Sequence, residues 1–134
     1  MASTAVPLAA VDDVTVLSPY EVVAAKTVRA EDPYLVGHYP GQPIYPGVFV
    51  LETVRQALDG LLSCDGQTRT ATVTGVPSMR MFAPLEPGDE LGVHVTCERT
   101  APGEVTATAR CSRNGTERVA LLTVTFLPTT GGAA

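Results

Sequence analysis

From Pro46 to about Ser63 the chain carries its one convincing helical period, and from Arg69 to Leu127 it carries strand and turn patterning. That order restricts the fold more than any other feature. At 100° per residue, Val50, Leu51, Val54, Ala57, Leu58, Leu61 and Leu62 cover one broad side of the helix, and Glu52, Arg55, Gln56 and Asp59 form a narrow stripe opposite. Pro46 suits the first helical position, and Cys64, Asp65 and Gly66 end the run. Upstream, Glu21 to Val28 reads as a strand after a Ser18-Pro19 turn. Downstream, Arg69 to Phe82 is rich in threonine and valine, and Glu90 to Glu98 alternates with Leu91, Val93 and Val95 on one face. Val105, Ala107, Ala109 and Cys111 share a face of the next strand, and Asn114-Gly115 is a two-residue hairpin signal before the last strand. One helix followed by a meander of antiparallel strands predicts an α+β layout, the helix packed on a curled sheet.

The length of 134 residues predicts a single domain over 1–134, with flexible ends at about 1–12 and 129–134. Hydrophobic residues make up 45% of the chain, enough for a core built from Val, Leu and Ala. The net charge of −5 and the scattered basic residues argue against nucleic-acid binding, which needs a basic face against phosphates. No apolar run approaches the ~18 residues of a membrane span. The first 25 residues hold no Lys or Arg, so no secretory signal is visible, and three cysteines without a CxxC spacing read as free thiols of a reducing cytoplasm. Asn114-Gly115-Thr116 matches a glycosylation sequon, but in a cytoplasmic chain it reads as the hairpin turn.

The chemistry concentrates between Gly37 and Gln56, GHYPGQPIYPGVFVLETVRQ. Glycines and prolines hold a rigid non-helical approach. His38, one of two histidines, sits in this loop, and Glu52 follows it by 14 residues inside the helix. The helix start at Pro46-Gly47 leaves amide hydrogens unpaired at the positive end of the dipole, a place for a developing oxyanion. On the residues alone two readings stay open. The Glu52 stripe is either the solvent face of an amphipathic helix with His38 an idle loop residue, or an acid–base pair beside an oxyanion donor. His94, on the strand face opposite Leu91 and Val93, has no metal-ligand company, so no metal site is expected. No GxSxG, P-loop or dinucleotide pattern is present.

The same stretch resembles the signature of the 3-hydroxyacyl-acyl-carrier-protein dehydratases of the FabZ/FabA type, GHFPxxPxMPGVxxxEAxxQ, with His38, Pro40, Pro43, Pro46, Gly47, Val48, Glu52 and Gln56 in register. Glu31-Asp32-Pro33, Arg80 with Pro84 to Asp89, and GTERVA after Asn114 extend the resemblance to about Val14–Leu127. It implies a hotdog fold, one long central helix wrapped by a curved antiparallel sheet. It implies two protomers that bring the histidine of one to the carboxylate of the other, around a tunnel that takes an acyl chain on the 4'-phosphopantetheine arm of acyl carrier protein. By that resemblance His38 removes the α-proton, Glu52 protonates the leaving β-hydroxyl, and the Gly47 amide polarises the thioester carbonyl. Gln56 and Val48 support them, and Tyr39, Pro46 and Phe49 line the tunnel. Glu52 would need a raised pKa to donate a proton at neutral pH, which an apolar tunnel supplies by desolvation. No metal or redox cofactor is implied.

Three departures stand out. Tyr39 replaces the usual Phe, Arg55 stands where a small residue is usual, and Phe82-Ala83 occupy positions often basic, where cations would help dock an acidic carrier. Arg80 is the remaining candidate for carrier docking, with a structural salt bridge as its alternative. A homodimer or a trimer of dimers is expected, with a heterodimer of related subunits as the alternative assembly. The rival functions are a hotdog acyl-thioesterase and a non-catalytic partner subunit of a heterodimeric dehydratase.

Overall fold

The structure, a computed structural model, describes residues 11–29, 47–63 and 66–130. Among these the chain forms β1 (Asp13–Ser18), β2 (Glu21–Thr27), α1 (Gly47–Leu62), β3 (Arg69–Met81), β4 (Glu90–Ala101), β5 (Glu104–Arg113) and β6 (Glu117–Thr130). The strands make one six-stranded sheet in the order β1-β2-β4-β5-β6-β3, every neighbouring pair antiparallel. The sheet therefore continues through residue 130, inside the tail expected to be flexible.

The helix is short, 16 residues or about 24 Å, and packs against β1, β2, β3 and β4. Val50, Val54, Ala57, Leu58 and Leu61 are buried, as the period predicts, and Leu51 and Leu62 are partly buried. Each fully buried Val or Leu contributes roughly 1.5–3 kcal/mol. Thr53 is buried among them, and its hydroxyl donates to the Phe49 carbonyl one turn back at 3.0 Å, which satisfies it inside the core. The alternating strands supply the facing layer: Val22 and Ala24 from β2, Leu91, Val93 and Val95 from β4, Ala107, Ala109 and Cys111 from β5, and Leu122, Val124 and Phe126 from β6. Lys26 lies buried on the same face of β2 and is not without partners.

The meander expected after the helix holds only for β4-β5-β6. Gly103 (φ 77°) turns β4 into β5, and Asn114 (φ 52°) with Gly115 (φ 81°) turns β5 into β6. Both residues of the second turn take the left-handed region that a two-residue hairpin requires. β3 does not pair with β4. It crosses to the far side of the sheet and pairs with β6, with register irregularities between Val73 and Gly75 and between Gly75 and Ser78. The segment after β3 is too long and proline-rich for a tight hairpin, and its Leu85 is fully buried in the core. Gly88 N–H donates to the Val28 carbonyl and Val28 N–H to the Asp89 carbonyl, which ties the crossover to the end of β2. β3 is thereby left as an edge strand.

Candidate active site

Glu52 stands on the second turn of α1, on the polar stripe, where Gly47 is the first helical residue and Val48 follows it. Its carboxylate is held by three donors. Arg55 Nε reaches Oε1 at 2.8 Å, Arg55 Nη2 reaches Oε2 at 2.7 Å, and Gln56 Nε2 reaches Oε2 at 2.9 Å. The spacings i+3 and i+4 put both donors on the same side of the helix as Glu52. Arg55 also reaches forward, its Nη1 lying 3.0 and 3.3 Å from the two oxygens of Asp59. Asp59 in turn accepts the Ala71 N–H of β3 at 2.8 Å. The row Glu52–Arg55–Asp59 is thus pinned to the edge strand, and its side chains keep 26–29% of their exposure.

This arrangement corrects the expectation that Glu52 has a raised pKa. The Arg55 hydrogen bonds hold its carboxyl below the ordinary value, assisted by Gln56 and the Arg55 charge, while partial burial pushes the other way without prevailing. The Arg55 guanidinium is raised in turn, first by its bond to Glu52. The apolar surroundings invoked for a raised value do not dominate because an arginine fork occupies the carboxylate directly.

Gln56 lies on Glu52 as its spacing predicts, and Phe49 is partly buried against the core near the helix start. His38, Tyr39 and Pro46 lie outside the described residues. Arg80 is not brought to Glu52. It sits near the end of β3 with its guanidinium 5.9 Å from the centre of the Phe82 ring, and Arg118 of β6 lies 5.4 Å from the same ring. Arg80 forms no salt bridge among the described residues, and its described contact is with an aromatic ring. Arg118 escaped the sequence reading. Phe82 N–H bonds to the Val119 carbonyl, a β3–β6 proximity that local patterning does not reveal.

On the opposite, solvent face of the sheet His94 pairs with Glu21, and with Thr96, Thr108 and Arg110 it lines a shallow cavity of about 140 Å³. His94 is on the outer face as expected, but engaged by a carboxylate. Among the described residues no group of three or more His, Cys, Asp or Glu side chains is arranged to hold a metal, and no helix is long and apolar enough to cross a membrane.

Residues 15–117 match the ApeI-like family, described as ApeI dehydratase. Over 88 residues the chain is 36% identical to a 3-hydroxyacyl-acyl-carrier-protein dehydratase FabZ of Verminephrobacter eiseniae, covering 61% of this chain and 58% of that relative. A FabZ of Halorhodospira halophila is 34% identical over 116 residues, 81% of this chain and 75% of the relative. The chain thus spans about three fifths of the first relative's length and three quarters of the second's. The dehydratase heterocomplex ApeI:P of Xenorhabdus doucetiae superposes with a TM-score of 0.67 at 16% identity, over 86% of this chain and 94% of that one. At that identity the likeness is one of fold, an antiparallel hotdog sheet with one helix.

Proposed function

This chain belongs to the ApeI-like dehydratase family, and from that membership we propose that it removes water from 3-hydroxyacyl thioesters on acyl carrier protein to give trans-2-enoyl thioesters. The observation that carries the reading is Glu52. It is a half-buried carboxylate near the start of the helix, aimed by Gln56, in a chain whose identity to FabZ enzymes runs to 34% over 116 residues. In this reading α1 is the axial helix of the hotdog and the sheet curves around it.

The steps are simple. His38 takes the α-proton, and the electron pair of that C–H bond is delocalised onto the thioester oxygen as an enolate before it returns to form the new Cα=Cβ bond. The Cβ–O bond breaks, its oxygen takes the proton of Glu52, and water leaves. His38 is then protonated and Glu52 ionised, and a proton passes back from one to the other to reset the site. The Gly47 amide stabilises the enolate oxygen. One such donor contributes roughly 3–4 kcal/mol at a transition state, and a positioned acid or base adds on the order of 10²–10⁴ in rate. Two protons move and no electron is transferred to or from the protein, so the chemistry as written uses no redox group. The phosphopantetheine arm belongs to the substrate.

Oligomerisation follows from the edge strand. β3 is 13 residues long, with an unpaired outer edge among the described residues, and Val76, Met79 and Met81 along it keep 36–42% exposure. A long exposed apolar edge of this kind is suited to pairing with another copy. A related subunit in place of a second copy is the alternative outcome. Arg80, Phe82 and Arg118 offer two cations around a half-exposed ring, a surface that suits an acidic carrier protein. Incubation of the purified chain with an enoyl thioester on carrier protein tests the function. Reversible loss of the conjugated-enoyl absorbance without release of thiol supports it, and thiol release instead assigns a thioesterase.

A further inference from the structure

We propose that Arg55 is a positioning residue for Glu52: its guanidinium fork, braced by Asp59, keeps the carboxylate ionised and fixed in direction before substrate arrives. The inference rests on the dehydratase reading for its consequence in turnover, and on geometry alone for the state of Glu52.

Both oxygens of Glu52 accept charge-assisted bonds from one planar group at 2.7 and 2.8 Å, which is the bidentate pairing that arginine forms and lysine does not. A third bond from Gln56 is also a donor to the carboxylate, so none of the three contacts requires a proton on Glu52. Arg55 cannot swing freely, because its Nη1 is held by Asp59, and Asp59 is held by the backbone of β3. Among the titratable groups on the strands packed against α1, Lys26 on β2 and Cys97 on β4 lie on the core side, and Arg69 on β3 reaches the Leu62 carbonyl at the helix end. None is among the hydrogen-bond partners of Glu52 in the described residues, and none contributes to its pKa shift.

The consequence is a shift in pH dependence. Dehydration starts with Glu52 protonated and ends with it ionised, whereas addition of water to the enoyl thioester starts with it ionised. A clamp on the ionised form stabilises the charge state reached after the proton has gone to the leaving hydroxyl. At rest it leaves the acid form a minority. Both directions draw on the same singly protonated His38–Glu52 pair, so the clamp sets where the proton rests within the pair and extends the acid limb of both directions together toward lower pH. The sequence resemblance puts a small residue at this position, so Arg55 is a feature of this chain.

Titration of the carboxyl carbon of Glu52 by ¹³C NMR tests the state directly, in protein labelled at glutamate δ-carbons and assigned by loss of the signal in Glu52→Gln. The expected result is a midpoint below that of an ordinary glutamate in the wild type, moved upward in Arg55→Ala, with Arg55→Lys between them. Should Arg55→Ala not fold, Arg55→Gln, which removes the charge and retains bulk, decides in the same way. An unchanged midpoint in the variant, or a wild-type midpoint at or above the ordinary value, overturns the proposal. In the same variants the acid limb of the dehydration rate, where His38 and Glu52 are both protonated, should move up with the midpoint. A uniform loss at all pH values, with the limb unmoved, would mark Arg55 as merely structural and also overturns it. If no carrier-bound substrate turns over in any variant, the dehydratase reading falls while the NMR result still decides the role of Arg55.

Discussion

Replacing Leu58 by Ala tests whether α1 is seated as described, and with it the direction in which Glu52 points. Leu58 is fully buried on the apolar side of α1, one turn on from Arg55 and flanking the Glu52–Arg55–Asp59 row. The substitution removes three carbons, worth about 2.4 kcal/mol in transfer at ~0.8 kcal/mol each. Incomplete collapse of the cavity adds to this, giving about 3–4 kcal/mol in all. A domain of this length has roughly 7–20 kcal/mol of stability, so the variant still folds. Its melting temperature should fall by about 10–15 °C. The assay is urea unfolding followed by circular dichroism at one fixed protein concentration, since an oligomer's stability depends on concentration. Glu52→Gln is the control. Its side chain is about a quarter exposed and its ion pair lies near the surface, so it should cost under about 1 kcal/mol. A loss below about 1 kcal/mol in Leu58→Ala would refute the packing from which the site geometry is built.

Three further outcomes follow. Because the Glu52 pKa is lowered in the folded chain from its ordinary 4.5, the stability it contributes is full above that value. That contribution is lost as pH falls through the folded value, so the difference between wild type and Glu52→Gln in pH-dependent unfolding should be flat above about pH 6 and shrink below 4.5. Partial burial pushes the Cys97 thiol up to about 11 and burial pushes the Cys111 thiol up to about 12, so mass-spectrometric mapping after iodoacetamide at pH 8 should find Cys111 unmodified in the native protein, and label on it would contradict its burial. Val76→Lys with Met79→Lys places charge along β3 and should lower the molar mass seen by light scattering, while an unchanged mass would exclude this edge as the interface.

What was legible in the sequence follows from locality. The helix, its buried side, the alternating strands and the Asn114-Gly115 turn depend on residues a few positions apart, and each lies where its pattern puts it. The placement of β3 beside β6 was not legible, because pairing between Arg80 and Leu121 leaves no local trace, and a run of strands reads by default as a meander. Buried Leu85 was hidden for a related reason, since prolines and a glycine around it read as a surface turn. The stripe containing Glu52 was visible, and so was the i+3 spacing of Arg55. The charge state of Glu52 was not legible, because burial and an arginine one turn away push its pKa in opposite directions and only the side-chain geometry decides between them. Arg118 reaches Phe82 only through the β3–β6 contact, so this second cation appears with the fold and not before it.

Glu52 and His38 are proposed to eliminate water together from a carrier-bound 3-hydroxyacyl thioester. Mass spectrometry of carrier-bound 3-hydroxyacyl substrates of several chain lengths, incubated with wild type, His38→Ala and Glu52→Ala, tests it most directly. The wild type should remove the mass of one water from at least one substrate, and that rate should fall on the order of 10²–10⁴ in each variant. A folded wild-type protein that leaves every substrate unchanged, or variants that retain the full rate, would contradict it.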